Sequence, residues 1–222
     1  MLFKEDTIAR ADAEAIRRGI GFYLSLIHIL VAGLNGILSG FSAMAVTVFG
    51  VYYKLQTFVY MPVNGLVQGI RPIIAFNYGA GNVKRESDAI RQSLLISAVI
   101  MTMGLILSQL IPLPVLKIFN SDPDMLSLGE RALRIISLGF LPSALSIITS
   151  AVFESIGKGL PSLLVTLFRQ LVIVLPLAFL FSGLFGLSGV WAALPAAELC
   201  TAVYSAAVLL RELRIQKKQF ED

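Results

Sequence analysis

Residues 51–82, VYYKLQTFVYMPVNGLVQGIRPIIAFNYGAGN, decide how this chain is read. Together with the apolar run that leads in from Ala43, the stretch stays hydrophobic to about Phe76. That is well beyond the roughly 20 residues a helix needs to cross hydrocarbon, and far beyond a barrel strand of about 10. Yet it carries Lys54, Gln56, Asn64, Gln68 and Arg71, with Pro62, Gly65, Gly69 and Pro72 among them. An ionisable side chain inside a spanning helix costs about 2.5–3.5 kcal/mol on insertion scales and belongs against a cavity or a partner. Pro62 cannot donate a backbone hydrogen bond, so it frees a carbonyl and bends the helix. Gly65 and Gly69, one turn apart, let a neighbouring helix come close. Asn64 and Gln68 share a face, which gives a polar wall at least one turn long. Polar side chains beside a bend are how transporters build sites at the midplane. The competing reading has Lys54 snorkelling to an interface and Gln56 joining helices.

Working outward, five more apolar segments appear, at about 20–39, 93–119, 132–153, 163–181 and 187–210. Backbone polar groups in lipid must be satisfied within the segment, so each is expected to be a helix. The fold class is therefore all-α: a polytopic membrane protein with a six-helix transmembrane bundle at residues 20–211. A charged, amphipathic lead-in (1–19) precedes it and a short tail (212–222) follows. Composition agrees. Hydrophobic residues make up 56% of the 222 and charged residues 14%, against about 45–50% and 25% in soluble domains. Mean hydropathy is +0.81.

The connectors carry turn and cap chemistry: Ser39-Gly40, residues 77–82, residues 157–162 and residues 182–186 are turns, and residues 120–124 read as a helix N-cap region. The net charge of +4 follows membrane topology rather than nucleic-acid binding. Lys4, Arg10, Arg17, Arg18, Arg71, Lys84, Arg85, Arg91, Lys158, Arg169, Arg211, Arg214, Lys217 and Lys218 fall on the side of the termini and even-numbered loops, against Lys117, Arg131 and Arg134 opposite. Fourteen against three, with Lys54 inside a span, predicts that both termini are cytoplasmic.

Two further intramembrane residues are candidates for ion coupling. His28 lies in the first segment, where an imidazole could exchange protons or simply bond across helices. Glu198 lies midway along the last; its carboxylate either binds a coupling ion or pairs with a cation on another helix. Glu154 reads as interfacial, near Lys158. With one histidine and one cysteine, Cys200, in the chain, a Cys/His metal site and a disulfide framework are both excluded. No catalytic motif or nucleotide-binding loop is present, so neither enzyme chemistry nor an ATP-driven step is expected, and no cofactor.

The elements Lys54-Leu-Gln56, Pro62-x-x-Gly65-Leu-x-Gln68-Gly69 and Asn77-Tyr78-Gly79-Ala80, in this order and spacing, resemble the multidrug and toxic compound extrusion (MATE) family. Phe119-Asn-Ser-Asp-Pro123 and Gly157-Lys158 agree with it. The resemblance runs from about Gly33 onward and implies the C-terminal lobe of a twelve-helix transporter in the cell membrane. It implies multidrug efflux by antiport with sodium ion or proton, through alternating access, of amphipathic and often cationic small molecules. By the same resemblance Lys54, Gln56, Asn64 and Gln68 line the lobe's cavity, and Asn77, Tyr78, Gly79 and Arg85 shape a cytoplasmic loop. The chain departs from the family pattern in having no acid in the first span or in the interior of the fourth. The partner implied, besides lipid, is an N-terminal lobe or a second copy, with the chain read as a fragment in preference to a half-size dimer. A lipid-linked oligosaccharide flippase of the same superfamily is the alternative; its cavity needs several arginines, and the sequence places none at the midplane. A non-transporting membrane scaffold is a second alternative.

Overall fold

The computed structural model describes residues 28–221, all of them in helices and the turns between them. The charged lead-in at 1–19 and the start of the first segment lie outside the described residues. Helix α1 (His28–Ser39) leads to α2 (Ala43–Gly79), α3 (Val83–Leu110), the short α4 (Pro112–Lys117) and α5 (Pro123–Ile136). A 3-10 turn at Ser137–Gly139 carries α5 directly into α6 (Phe140–Ser155). Helix α7 (Gly159–Leu167) passes through a π-turn (Phe168–Val172) into α8 (Val174–Glu221).

Local chemistry sets these boundaries. Ser42 starts α2 by accepting from the Ala45 amide at 3.0 Å. Asp122 caps α5, its Oδ1 accepting from the amides of Asp124 and Met125, with Pro123 at the first helical position, as the sequence predicts. The turn after α2 closes by two bonds, Asn82 N–H to the Asn77 carbonyl and Gly81 N–H to that of Tyr78. Gly81 has φ +66, the left-handed conformation this C-terminal closure requires. The same pair of bonds recurs after α6, from Lys158 to Phe153 and from Gly157 to Glu154.

Gly186 turns α8 into two passes. Its φ of 61 and ψ of −144 lie where only glycine is at ease. Phe168 and Tyr204 each lie eighteen residues from Gly186, and their rings meet edge to face at 5.0 Å. The chain therefore folds back on itself, as the expected segments 163–181 and 187–210 require.

The α5–α6 rod is the centre of the bundle. Of the three helices among the described residues that are long and apolar enough to cross a membrane, Pro123–Ser155 is 61% buried along its apolar window, against 28% for both Val83–Leu110 and Val174–Lys217. Helix α6 packs on α2, α3, α7 and α8, burying Phe140, Ile148 and Phe153 beside Trp191. The outer side of α3 instead exposes Leu95, Val99, Met103, Ile106 and Leu110, one to each turn. An apolar stripe of that length calls for lipid as its solvent. The third helix starts ten residues before its apolar part, because the polar residues 83–92 continue the same helix. Helix α2, with 37 residues, is longer than α3 but is not one of the three; its polar residues dilute it.

Candidate functional site

Helices α1, α2, α6, α7 and α8 enclose a cavity of about 330 Å³, at the small end of the range for ligand pockets. Its α2 wall is formed by Tyr52, Tyr53, Gln56, Tyr60, Asn64 and Arg71. The facing wall brings Ser150 and Glu154 from α6, Thr166 from α7, Arg169 from the π-turn and Glu198 from α8.

Two ion pairs stand in this cavity. Arg169 Nε donates to both oxygens of Glu198, at 3.0 and 3.1 Å, and the two side chains are 15% and 14% exposed. The Arg169 guanidinium also lies 5.3 Å from the centre of the Tyr60 ring, within range of a cation–π contact. Tyr60 in turn donates its hydroxyl to Ser143 Oγ at 2.9 Å, which holds the ring in place. The second pair joins Arg71 to Glu154. Glu154 Oε1 accepts from Ser162 at 2.9 Å, and Ser162, Ser150 and Thr166 continue a short chain of hydroxyls. The ion pairs are neutral overall, while the wall mixes rings, amides and hydroxyls. Such a surface accommodates amphipathic molecules without a single fixed geometry.

Of the residues expected to line the cavity, Gln56 and Asn64 do so. Lys54 and Gln68 are exposed and lie outside its wall, on the face of α2 that also presents Phe58, Met61 and Phe76. Helix α2 runs unbroken across Pro62 and Pro72. No atom of another element lies within 4 Å of where a side chain would start at Gly65 or Gly69, so the helix approach expected there is absent among the described residues. Close approaches occur elsewhere: at Gly104, where a Cβ would meet Val59 at 2.5 Å, and at Gly139, beneath Pro195 and Glu198. His28 is exposed at the start of α1 and lies outside the cavity wall. In the loop after α2, Asn77 is buried and donates to the Ile73 carbonyl at 2.7 Å. There Tyr78 packs on the core, Gly79 ends the helix, and the Arg85 amide is capped by Asn82.

Arg169 and Tyr60 are the residues that sequence reasoning missed. By its charge Arg169 reads as a loop residue; the structure sets it instead in the cavity wall, with Arg71. The signal was present: Arg169 and Glu198 are the only charged residues in segments 163–181 and 187–210, and opposite charges on the arms of a hairpin become partners. Removing both arginines from the loop count leaves twelve basic residues against three, so the asymmetry survives.

A second ionic cluster ties the end of the bundle that carries the 77–82 and 157–158 turns. Lys158 Nζ donates to both oxygens of Glu212, at 2.6 and 2.8 Å, and Gln216 donates to Glu212 at 3.3 Å. Glu86, from the first turn of α3, lies beside Gln216 and Glu212. It is 1% exposed, and its Oε1 has no hydrogen-bond partner. Among the described residues no group of three or more His, Cys, Asp or Glu is arranged to hold a metal ion.

The family model MatE matches residues 21–180. The chain belongs to the MatE family. It is 25% identical over 190 residues to the multidrug export protein MepA of Staphylococcus haemolyticus, covering 84% of this chain and 42% of that protein. The MepA of Staphylococcus saprophyticus is 28% identical over 192 residues, covering 82% and 41%. A solved structure described as the outward-facing conformation of a multidrug resistance MATE family transporter superposes with a TM-score of 0.83 at 22% identity, over 89% of this chain and 45% of that one. A MATE structure in the bent conformation gives 0.84 at 22%, over 90% and 45%. The all-α membrane bundle is thus the fold of this family, and the chain spans less than half the length of the curated relatives it matches.

Proposed function

We propose that this chain is one lobe, the C-terminal one, of a secondary multidrug efflux transporter of the cell membrane. It exchanges amphipathic, often cationic, small molecules for sodium ion or proton by alternating access. The observation that carries this reading is the charge-compensated cavity between α2 and α6–α8, where aromatic rings meet the Arg169–Glu198 and Arg71–Glu154 pairs. Matched relatives more than twice the length of the aligned region support the need for a second six-helix body, an N-terminal lobe or a second copy. The open face of α2, with Lys54, Gln68 and the uncovered Gly65 and Gly69, is the surface that such a body would meet. Both termini on the cytoplasmic side follow from the basic-residue asymmetry. A flippase for an anionic lipid-linked sugar would need uncompensated arginines, whereas both cavity arginines here are matched by a glutamate.

The test is ethidium efflux from cells and from vesicles carrying the chain joined to a second lobe, under imposed sodium and proton gradients. Efflux driven by one of the two gradients is expected, and it should be lost in Glu198→Gln. Absence of efflux under either gradient would overturn the assignment. Efflux that survives both Glu198→Gln and Glu154→Gln would separate transport from this cavity.

A further inference from the structure

Glu198 is held still, whereas its partner is mounted on a deformable turn. Around Glu198 the contact is tight: a side chain at Gly139 would start 3.2 Å from the Pro195 Cα and 3.4 Å from the Glu198 Cγ. The α8 backbone there is pressed against the central rod, so the carboxylate has little freedom to withdraw. Arg169 sits in the π-turn Phe168–Val172. Such turns carry one more residue than an α-turn and are found mostly at functional sites. Converting one to α-helix rotates the side chains on one side of it by about 100°, the angle per residue in a helix. That motion would take the guanidinium off Glu198 without moving Glu198.

Two of the contacts that Arg169 makes are with groups an organic cation would seek. One is a carboxylate, both of whose oxygens share a single N–H donor, a weaker union than the two parallel bonds of a guanidinium fork. The other is the face of the Tyr60 ring, fixed from behind by Ser143 and flanked in the cavity by Tyr52 and Tyr53. A carboxylate beside aromatic faces is the general chemistry for binding large, weakly hydrated cations.

We propose that Glu198 and the Tyr60 ring form a binding site for an organic cation, and that Arg169 occupies this site as a built-in competitor until the incoming cation displaces it. The proposal rests on the transport reading given above and assigns the substrate's charge to one carboxylate. Replacing one cation by another spares the site from holding a bare, largely buried carboxylate. It also keeps the empty transporter from trapping small inorganic ions at Glu198. The apparent affinity is lowered by the fraction of time for which Arg169 fills the site, so removing Arg169 should raise it.

The experiment measures equilibrium binding of tetraphenylphosphonium to the detergent-purified transporter, wild type and variants. Arg169→Gln should tighten binding about tenfold, and Arg169→Lys should give a smaller tightening, because lysine keeps the charge but lacks the planar face. Arg169→Lys leaves Glu198 paired and carries the test where Arg169→Gln does not fold. Glu198→Gln should weaken binding about tenfold, and Tyr60→Leu should cancel part of the gain seen in Arg169→Gln. Binding unchanged or weakened in both Arg169 variants would overturn the competitor role. Binding that is normal in Glu198→Gln would overturn the site while leaving the transport reading intact. No binding in the wild type or in any variant would remove both.

Discussion

The two ionic clusters of this bundle are built from similar groups and placed to opposite ends. At the end of the bundle Lys158 meets Glu212, which also accepts from Gln216, and Glu86 lies beside these two; Glu212 is 7% exposed and Gln216 and Glu86 1%. Arg169 meets Glu198 inside a cavity wide enough to admit another molecule. In the first case the carboxylates are closed in: Glu212 takes the lysine with both oxygens, and Glu86 keeps an oxygen without a donor. In the second, one acid has one arginine, a ring beneath it and open space beside it. The first arrangement locks three elements, α3, the α6–α7 turn and α8, whereas the second leaves a partner that can be exchanged.

The sharpest way to break this comparison is Lys158→Ala. It removes the cation that Glu212 bonds, and since Lys158 is 39% exposed the cost of about 3–5 kcal/mol for breaking a fully buried pair is an upper bound. Thermal unfolding in detergent should show a large drop, while tetraphenylphosphonium affinity in the protein that remains folded stays within about twofold of wild type. A large loss of affinity at unchanged stability would reverse the roles given to the two clusters. Next in size is Gly186→Ala, which forces a side chain into a backbone conformation costing about 1–3 kcal/mol. It loosens the hairpin that brings Arg169 to Glu198, so stability and cation affinity should change together, read by the same two assays. The smallest effect is expected from Glu86→Gln. It removes the second buried charge and supplies donors, so the unfolding temperature should rise by the equivalent of about 1 kcal/mol. A fall instead would mean that the Glu86 charge itself stabilises the cluster.

Much of the architecture could be read from the sequence because lipid imposes simple rules. The apolar segments are helical wherever the structure describes them, and caps such as Asp122 and turns such as residues 77–82 fell where their chemistry required. Helix ends were less legible, since polar residues such as Lys84, Arg85 and Glu86 extend α3 past the apolar part that hydropathy detects. The site was more legible along a single helix than across helices, where only the need of Glu198 for a cation, not its partner, could be read. Gln56 and Asn64 announce themselves by being polar within α2, and both reach the cavity. The Arg169–Glu198 pair joins residues 29 apart in sequence, and its existence depends on how α8 folds at Gly186. Glycine spacing alone did not tell which positions are crowded: Gly65 and Gly69 mark a surface with no neighbour among the described residues, while Gly33, Gly104 and Gly139 are pressed against side chains or backbone.

The polarity of α2 also bears on how the protein is made. A segment bearing Lys54, Gln56, Asn64, Gln68 and Arg71 gains little free energy by leaving the translocation channel for lipid alone. Its entry becomes favourable once α3 has been synthesised, because Val59 then seats against Gly104, and more so when α6 supplies Glu154 to Arg71. The ribosome must therefore run ahead of the membrane, with α2 waiting at the channel until later helices arrive to take it in.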